Sequence, residues 1–233
     1  IAIVLIFSPW VLRNYKVYGV FVPTNLAYGV DLSFGNHSGA TGELEHYELP
    51  YENIKKYGYV EGNRENAKEA MRFIANSPLE FLKITFYRIS IYFSFARPTG
   101  FWFHLEGFSK VATLVLSAIY SAVIFVLGFL GMVFSRNVAE EDKKAARYLL
   151  AFVLMAPLSV IFIIVETRYR FLIYPLLAIF AGYASSDFMY DRKSWRGAKL
   201  KNCLIIVLLF LLNAGFDAGR NLGTILEKLN DLG

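Results

Sequence analysis

From Val111 to Phe134 the chain runs for 24 residues without a single charged side chain. A hydrocarbon core of about 30 Å takes roughly 20 apolar helical residues to cross, so this run reads as a transmembrane helix. A soluble domain would have to bury such a helix on every side. The composition agrees: 56% of the 233 residues are hydrophobic and 18% are charged. Soluble domains carry nearer a quarter charged. With 21 Phe and 15 Tyr the chain is also far too apolar to be disordered. The expected class is therefore all-α, a polytopic transmembrane helix bundle with a long loop holding amphipathic helices.

Three further runs fit a bundle. Tyr148 to Val165 has 18 uncharged residues, with Pro157 inside it. Phe171 to Ser186, bounded by Asp187, is shorter, and Asn202 to Phe216 is shorter again. The bundle is thus expected over 111–216, as 111–134, 148–165, 171–187 and 202–216, followed by a tail over 217–233. The apolar opening, 1–12, is too short to span and reads as the end of a transmembrane helix that starts upstream, in a longer protein.

Basic residues orient the chain. Arg136, Lys143, Lys144 and Arg147 lie in one connection, and Arg192, Lys193, Arg196, Lys199 and Lys201 in another. The positive-inside rule places both in the cytoplasm. The turn Glu166–Arg170, the tail, and the loop over 13–110 then fall on the extracytoplasmic face of a plasma (cytoplasmic) membrane. The net charge of +5 does not point to nucleic acid, because the basic residues sit in short runs beside apolar segments.

Within the loop, Arg13 to Gly42 is rich in Gly, Asn and aromatics, and Glu43 to Gly62 is acidic and tyrosine-rich without a clear period. Ala67, Ala70, Met71 and Ile74 mark an amphipathic helix over 63–76, closed by Asn76-Ser77-Pro78. Over 79–97 the polar residues Glu80, Lys83, Tyr87, Ser90, Ser94 and Arg97 form one helical stripe. Two readings fit that stretch. One is a helix at the outer interface or packed on the bundle, with Lys83 and Arg88 snorkelling. The other is a further span whose stripe faces a cavity.

The chemistry candidates are few. Cys203 is the only cysteine, and His37, His46 and His104 are far apart, so no metal-ligand spacing is present. A requirement for a divalent metal is left open. The glycines from Gly35 to Gly42 match no nucleotide-binding pattern, and Asn36-His37-Ser38 is a formal glycosylation sequon. The cluster Glu166, Arg168 and Arg170 between two spans is the strongest candidate. Ionisable groups at membrane depth are expensive, and the arginine fork suits a lipid phosphate. Its alternative is a turn whose charges simply face water. Arg13, next to Trp10, reads either as a second anion contact or as an interfacial anchor.

Several stretches taken in order carry a resemblance. They are Pro9 to Tyr15, Gly19 to Pro23, Gly35-Asn36 with Gly39 to Gly42, the helix Ala67 to Pro78, and Glu166 to Phe171 with Pro175. This order over most of residues 8–186 resembles the C-terminal half of prokaryotic glycosyltransferases of the dolichyl-phosphate-mannose protein mannosyltransferase type, glycosyltransferase family 39 of the GT-C class. The aminoarabinose transferases of lipid A belong to the same class. The resemblance implies transfer of a sugar from a polyprenyl-phosphate donor to a protein, lipid or glycan acceptor at the extracytoplasmic face, with no cofactor required. It places the catalytic Asp in an N-terminal half, so no catalytic residue is expected here. It implies Arg168, Arg170, Tyr169 and Arg13 as donor-phosphate contacts, and Asn14, Asn36, Thr41 and Glu166 near the sugar and acceptor. The rivals are a transporter or flippase and a non-catalytic cell-envelope membrane protein.

Overall fold

The computed structural model describes residues 2–23, 25–95, 107–192 and 195–223. It is all-helical, with eight α-helices and no strand among these residues. Three helices are long and apolar enough to cross a membrane. The chain divides into two compact units, Ile1–Phe86 and Tyr87–Gly233.

The first unit holds α1 (Ala2–Tyr18), α2 (Tyr28–Gly35), α3 (Leu49–Asn76) and the start of α4 (Pro78–Tyr92). α1 runs six residues past the expected end of its apolar run. It leaves Ile3, Val4, Leu5, Ile6 and Leu12 more than 60% exposed, as a helix immersed in lipid would. α3 differs more from expectation, because it begins at Leu49, inside the stretch with no apolar period. Gly58 breaks it at a φ of 77°, and the anticipated helix over 63–76 is its second part.

The reason the first part lacks a period is that its buried face is polar. Asn53 Nδ2 donates to Asn66 Oδ1 at 2.7 Å and to Glu69 Oε2 at 3.0 Å, and Asn66 Nδ2 donates to the Pro50 carbonyl. Asn63 reaches α2: its Oδ1 accepts from the backbone N–H of Gly29 at 2.9 Å and of Val30 at 3.1 Å. A helix start has four N–H groups with no partner inside the helix. Ala27, at the position before α2, has no side chain to cap them, so a distant asparagine does it. The two helices touch there, since a Cβ on Gly29 would lie 1.9 Å from the Asn63 carbonyl oxygen.

The second unit holds the end of α4, then α5 (Gly107–Phe134), α6 (Lys143–Ile161), α7 (Tyr174–Tyr190) and α8 (Ala198–Arg220). The three helices long and apolar enough to cross a membrane are α5, α6 and α8. α7, on the expected third run, has 17 residues. At 1.5 Å per residue that is about 26 Å, short of a full crossing. α8 extends the expected run over 202–216 at both ends, to Ala198 and Arg220.

α5 and α7 lie side by side and parallel. Ser121 Oγ is 3.2 Å from the Tyr174 hydroxyl, Gly128 faces Leu177, and Gly131 faces Phe180. A Cβ on Gly131 would fall 1.8 Å from the Phe180 carbonyl oxygen. Without a hydrophobic force to drive helices together in lipid, such small residues allow the close backbone approach that holds them. α8 runs the other way. Its Lys199 stands 5.6 Å from the Phe134 ring at the end of α5, and Phe210 stacks on Phe125 at 5.7 Å. A core of Phe93, Phe125, Phe129, Tyr174 and Phe210 fills the space between the helices.

Candidate functional site

α6 ends at Ile161, and the expected run to Val165 gives way to a 3-10 turn, Thr167–Leu172, before α7. The turn carries both arginines, and they do different things. Arg170 is 2% exposed. Its Nη1 donates to the Ser94 carbonyl at 2.7 Å, and its Nη2 to the Ile91 carbonyl at 3.0 Å and to Ser94 Oγ at 2.9 Å. Ile91 lies in the last turn of α4 and Ser94 just past its end, where the helix dipole is negative; the Ile91 carbonyl also accepts from the Ser94 N–H at 3.2 Å. Arg170 is thus the C-terminal cap of α4.

Arg168 faces outward, with about half of its side chain exposed. Its Nη2 donates to Glu166 Oε1 at 2.6 Å, and its guanidinium lies 5.6 Å from the Tyr169 ring centre. The bond to Glu166 raises its pKa further above the ordinary arginine value, so its charge is fixed. Tyr169 packs against the core, and its carbonyl accepts from the Tyr92 hydroxyl at 3.3 Å. The turn is therefore tied to α4 through both Tyr169 and Arg170, which leaves Arg168 presented on a rigid base.

Two helices act as rulers for the depth of this turn. Tyr174, two residues past it, touches Ser121, and α5 continues for 14 residues beyond Ser121 to Gly107, about 21 Å. On α4, the residues Arg170 caps follow Ser90, whose carbonyl accepts from Asn213 Nδ2 at 3.1 Å. α8 runs seven residues beyond Asn213 to Arg220, about 10 Å. By both measures the turn lies inside the bundle's length rather than at its end.

The remaining sequence candidates lie in the first unit and are bound locally. Arg13 stands 5.4 Å from the Trp10 ring and donates to Asn14 Oδ1 at 3.0 Å. Asn14 is 1% exposed, with its Nδ2 on the Val22 carbonyl. Asn36 is equally buried and bonds back to the Leu32 carbonyl at the end of α2. Thr41 lies in an exposed loop, its N–H on Glu45 Oε1 at 3.2 Å. Glu166, Arg168, Tyr169 and Arg170 are brought together on one turn.

No protein-family model, curated protein or solved structure matches the chain. Among the described residues no group of three or more His, Cys, Asp or Glu is placed to hold a metal ion.

The partners of the turn on α4 were partly visible in advance, because Ser90 and Ser94 belong to the predicted polar stripe. Arg97, its last member, lies outside the described residues. Arg88 does not snorkel as expected: it is fully buried, with Nη1 donating to the Ile161 carbonyl at 3.2 Å, because the end of α6 supplies an acceptor there. Asn213 and Asp217 of α8 gave no signal, because each is a single polar residue in or beside an apolar run.

Proposed function

We propose that the chain is part of a membrane glycosyltransferase that moves a sugar from a polyprenyl-phosphate donor to an acceptor at the extracytoplasmic face, with Arg168 as the contact for the lipid phosphate. The observation that carries this reading is the depth of the turn. A guanidinium part-way along three apolar helices is costly; Glu166 offsets part of that cost, and the half of the Arg168 side chain that stays exposed can take a second anion. A lipid phosphate is such an anion at headgroup level, while its polyprenyl chain lies along apolar helix surface.

The roles divide within the turn. Arg168 supplies the planar fork that fits a phosphate bidentately. Glu166 holds that fork in place and competes with the phosphate for it, which favours release of the product lipid phosphate. Arg170 is a positioning residue, fixing the turn against α4. The leaving group is a phosphate ester, so transfer mainly needs charge stabilisation and an oriented base. No carboxylate of this chain is assigned as that base.

The test is sugar transfer by membranes expressing the whole protein, given a radiolabelled polyprenyl-phosphate sugar as donor. Arg168→Gln should lower kcat/KM by about 100-fold, an effect of roughly 2.7 kcal/mol, with expression unchanged. Turnover equal to wild type in that variant removes Arg168 from the donor site. Transfer of substrate across proteoliposomes with no new glycosidic bond would instead favour a transporter.

A further inference from the structure

Within the second unit, the end of α4 lies antiparallel to the end of α8, and three contacts fix the register. Tyr87 meets Phe216, ring centres 6.0 Å apart, and lies 4.5 Å below the Arg220 guanidinium. Ser90 takes the hydrogen bond from Asn213. Phe95 stacks on Phe210 at 5.7 Å. As the chain advances from 87 to 95, its partners on α8 retreat from 220 to 210.

At Tyr87 the chain is therefore level with the C-terminal end of α8, and from there it descends alongside the last ten residues of α8, about 15 Å of a helix some 34 Å long. It stops there. The helix ends at Tyr92, and Arg170 caps its carbonyls in the interior. The next described residue is Gly107, the start of α5. α5 ends at Phe134 beside Lys199, at the N-terminal end of α8, so it starts at the end from which α4 came.

Chain length decides between descent and crossing. From Phe95 to the level of Ala198 is 12 residues of α8, about 18 Å, and the way back along the 28 residues of α5 is about 42 Å. Only 12 positions separate Phe95 from Gly107, which reach about 43 Å when fully extended. A visit to the far face and a return needs about 60 Å.

We propose that α4 is a re-entrant helix, entering the bilayer from the face where α8 ends, descending to the level of Phe210, and returning the chain to that same face at Gly107. Of the alternatives read from the sequence, packing on the bundle agrees with these contacts, while a full crossing and a helix lying flat at the interface give way to it. Its interior end meets the 3-10 turn, so two chain reversals, α4 from one face and the α6–α7 pair from the other, join at Arg170. The uncapped carbonyls that make a broken helix costly in lipid are met by protein. The proposal rests on the chain being a membrane protein, and not on glycosyl transfer.

Sidedness tests it. In the full-length protein with Cys203 replaced by Ala, single cysteines are placed at the exposed positions Lys83→Cys, Ser109→Cys, Glu141→Cys and Leu222→Cys. Sealed vesicles of both orientations are treated with a membrane-impermeant maleimide. Labelling of 83, 109 and 222 from one face and of 141 from the other is the expected result. Opposite labelling of 83 and 109 overturns the proposal, because it makes α4 a span. Trypsin applied to sealed vesicles of the unsubstituted protein reads the same sidedness where a variant fails to accumulate. Cleavage at Lys83 from the face that exposes Lys143 and Lys144 overturns it equally.

Discussion

Arg170 and Ser94 lie 76 residues apart, and the Arg170 guanidinium grips both the carbonyl and the hydroxyl of Ser94. The link joins the turn before α7 to the residues that follow the end of α4. A lysine has three rotatable donors on one nitrogen and cannot span the Ser94 and Ile91 carbonyls as a planar fork does. Removing the guanidinium strands buried neutral acceptors at a cost of about 2 kcal/mol.

Arg170→Gln should thus lower the thermal unfolding midpoint in detergent, with Arg170→Lys intermediate. Arg168→Gln should leave that midpoint within the error of wild type, since its partner Glu166 is on the same turn and about half of its side chain is exposed. Equal loss of stability in the two glutamine variants would contradict the separation of a capping arginine from a presented one.

Gly131 sets the distance between α5 and α7. A Cβ there would sit 1.8 Å from the Phe180 carbonyl oxygen, which is backbone and has no room to rotate away. Gly131→Ala should cost on the order of 3 kcal/mol by forcing the helices apart. Gly182→Ala on α7 is the control, because nothing lies within 4 Å of its Cβ position. The unfolding midpoint of the two alanine variants distinguishes them, and equal midpoints would show that the α5–α7 approach is looser than described.

How much of this was legible depends on what each helix buries. The span over 111–134 was plain, because lipid and core both demand apolar side chains and the whole run satisfies them. The start of α3 was not. Its buried face is Pro50, Asn53, Gly62, Asn63 and Asn66, residues that turn and loop reasoning claims first. The turn over 166–170 was recognised as unusual from its charges alone. That its two arginines would part, one inward and one outward, depends on where α4 ends, and that end is fixed by contacts 76 and 79 residues away. The helix over 79–97 showed its polar stripe, yet the depth to which it dips is set by its register against α8.

The asparagine cap on α2 gives a test confined to the first unit. Asn63 Oδ1 accepts both the Gly29 and Val30 N–H groups. Asn63→Asp keeps the acceptor and adds negative charge at a helix N-terminus, which the dipole favours. Asn63→Ala removes the acceptor from a buried site and should cost about 1–2 kcal/mol. Hydrogen exchange at Gly29 and Val30 should quicken in the alanine variant and stay slow in the aspartate one. Quickening in both would mean that the Asn63 side chain does not cap α2.

Asp187 closes the opposite end of the bundle from Arg170. One carboxylate oxygen accepts from Trp195 Nε1 at 2.8 Å and from Lys199 Nζ at 2.7 Å, so the end of α7 is pinned to the start of α8. Trp195 also packs edge-on against Phe134 and Phe188, at 5.4 and 5.0 Å. The indole is therefore held on three sides, and its environment reports on the clasp. The Asp187 and Lys199 side chains are about one-fifth and one-quarter exposed. Water screens the pair, and breaking it should cost about 1 kcal/mol rather than the several expected of a fully buried pair. In a variant keeping Trp195 but lacking Trp10 and Trp102, replaced by Phe, Asp187→Asn should retain the indole bond and leave the emission maximum unchanged. Asp187→Ala removes both bonds and should move the emission maximum to the red. An unmoved maximum in Asp187→Ala would mean that aromatic packing alone holds Trp195, and that the ion pair has no part in joining α7 to α8.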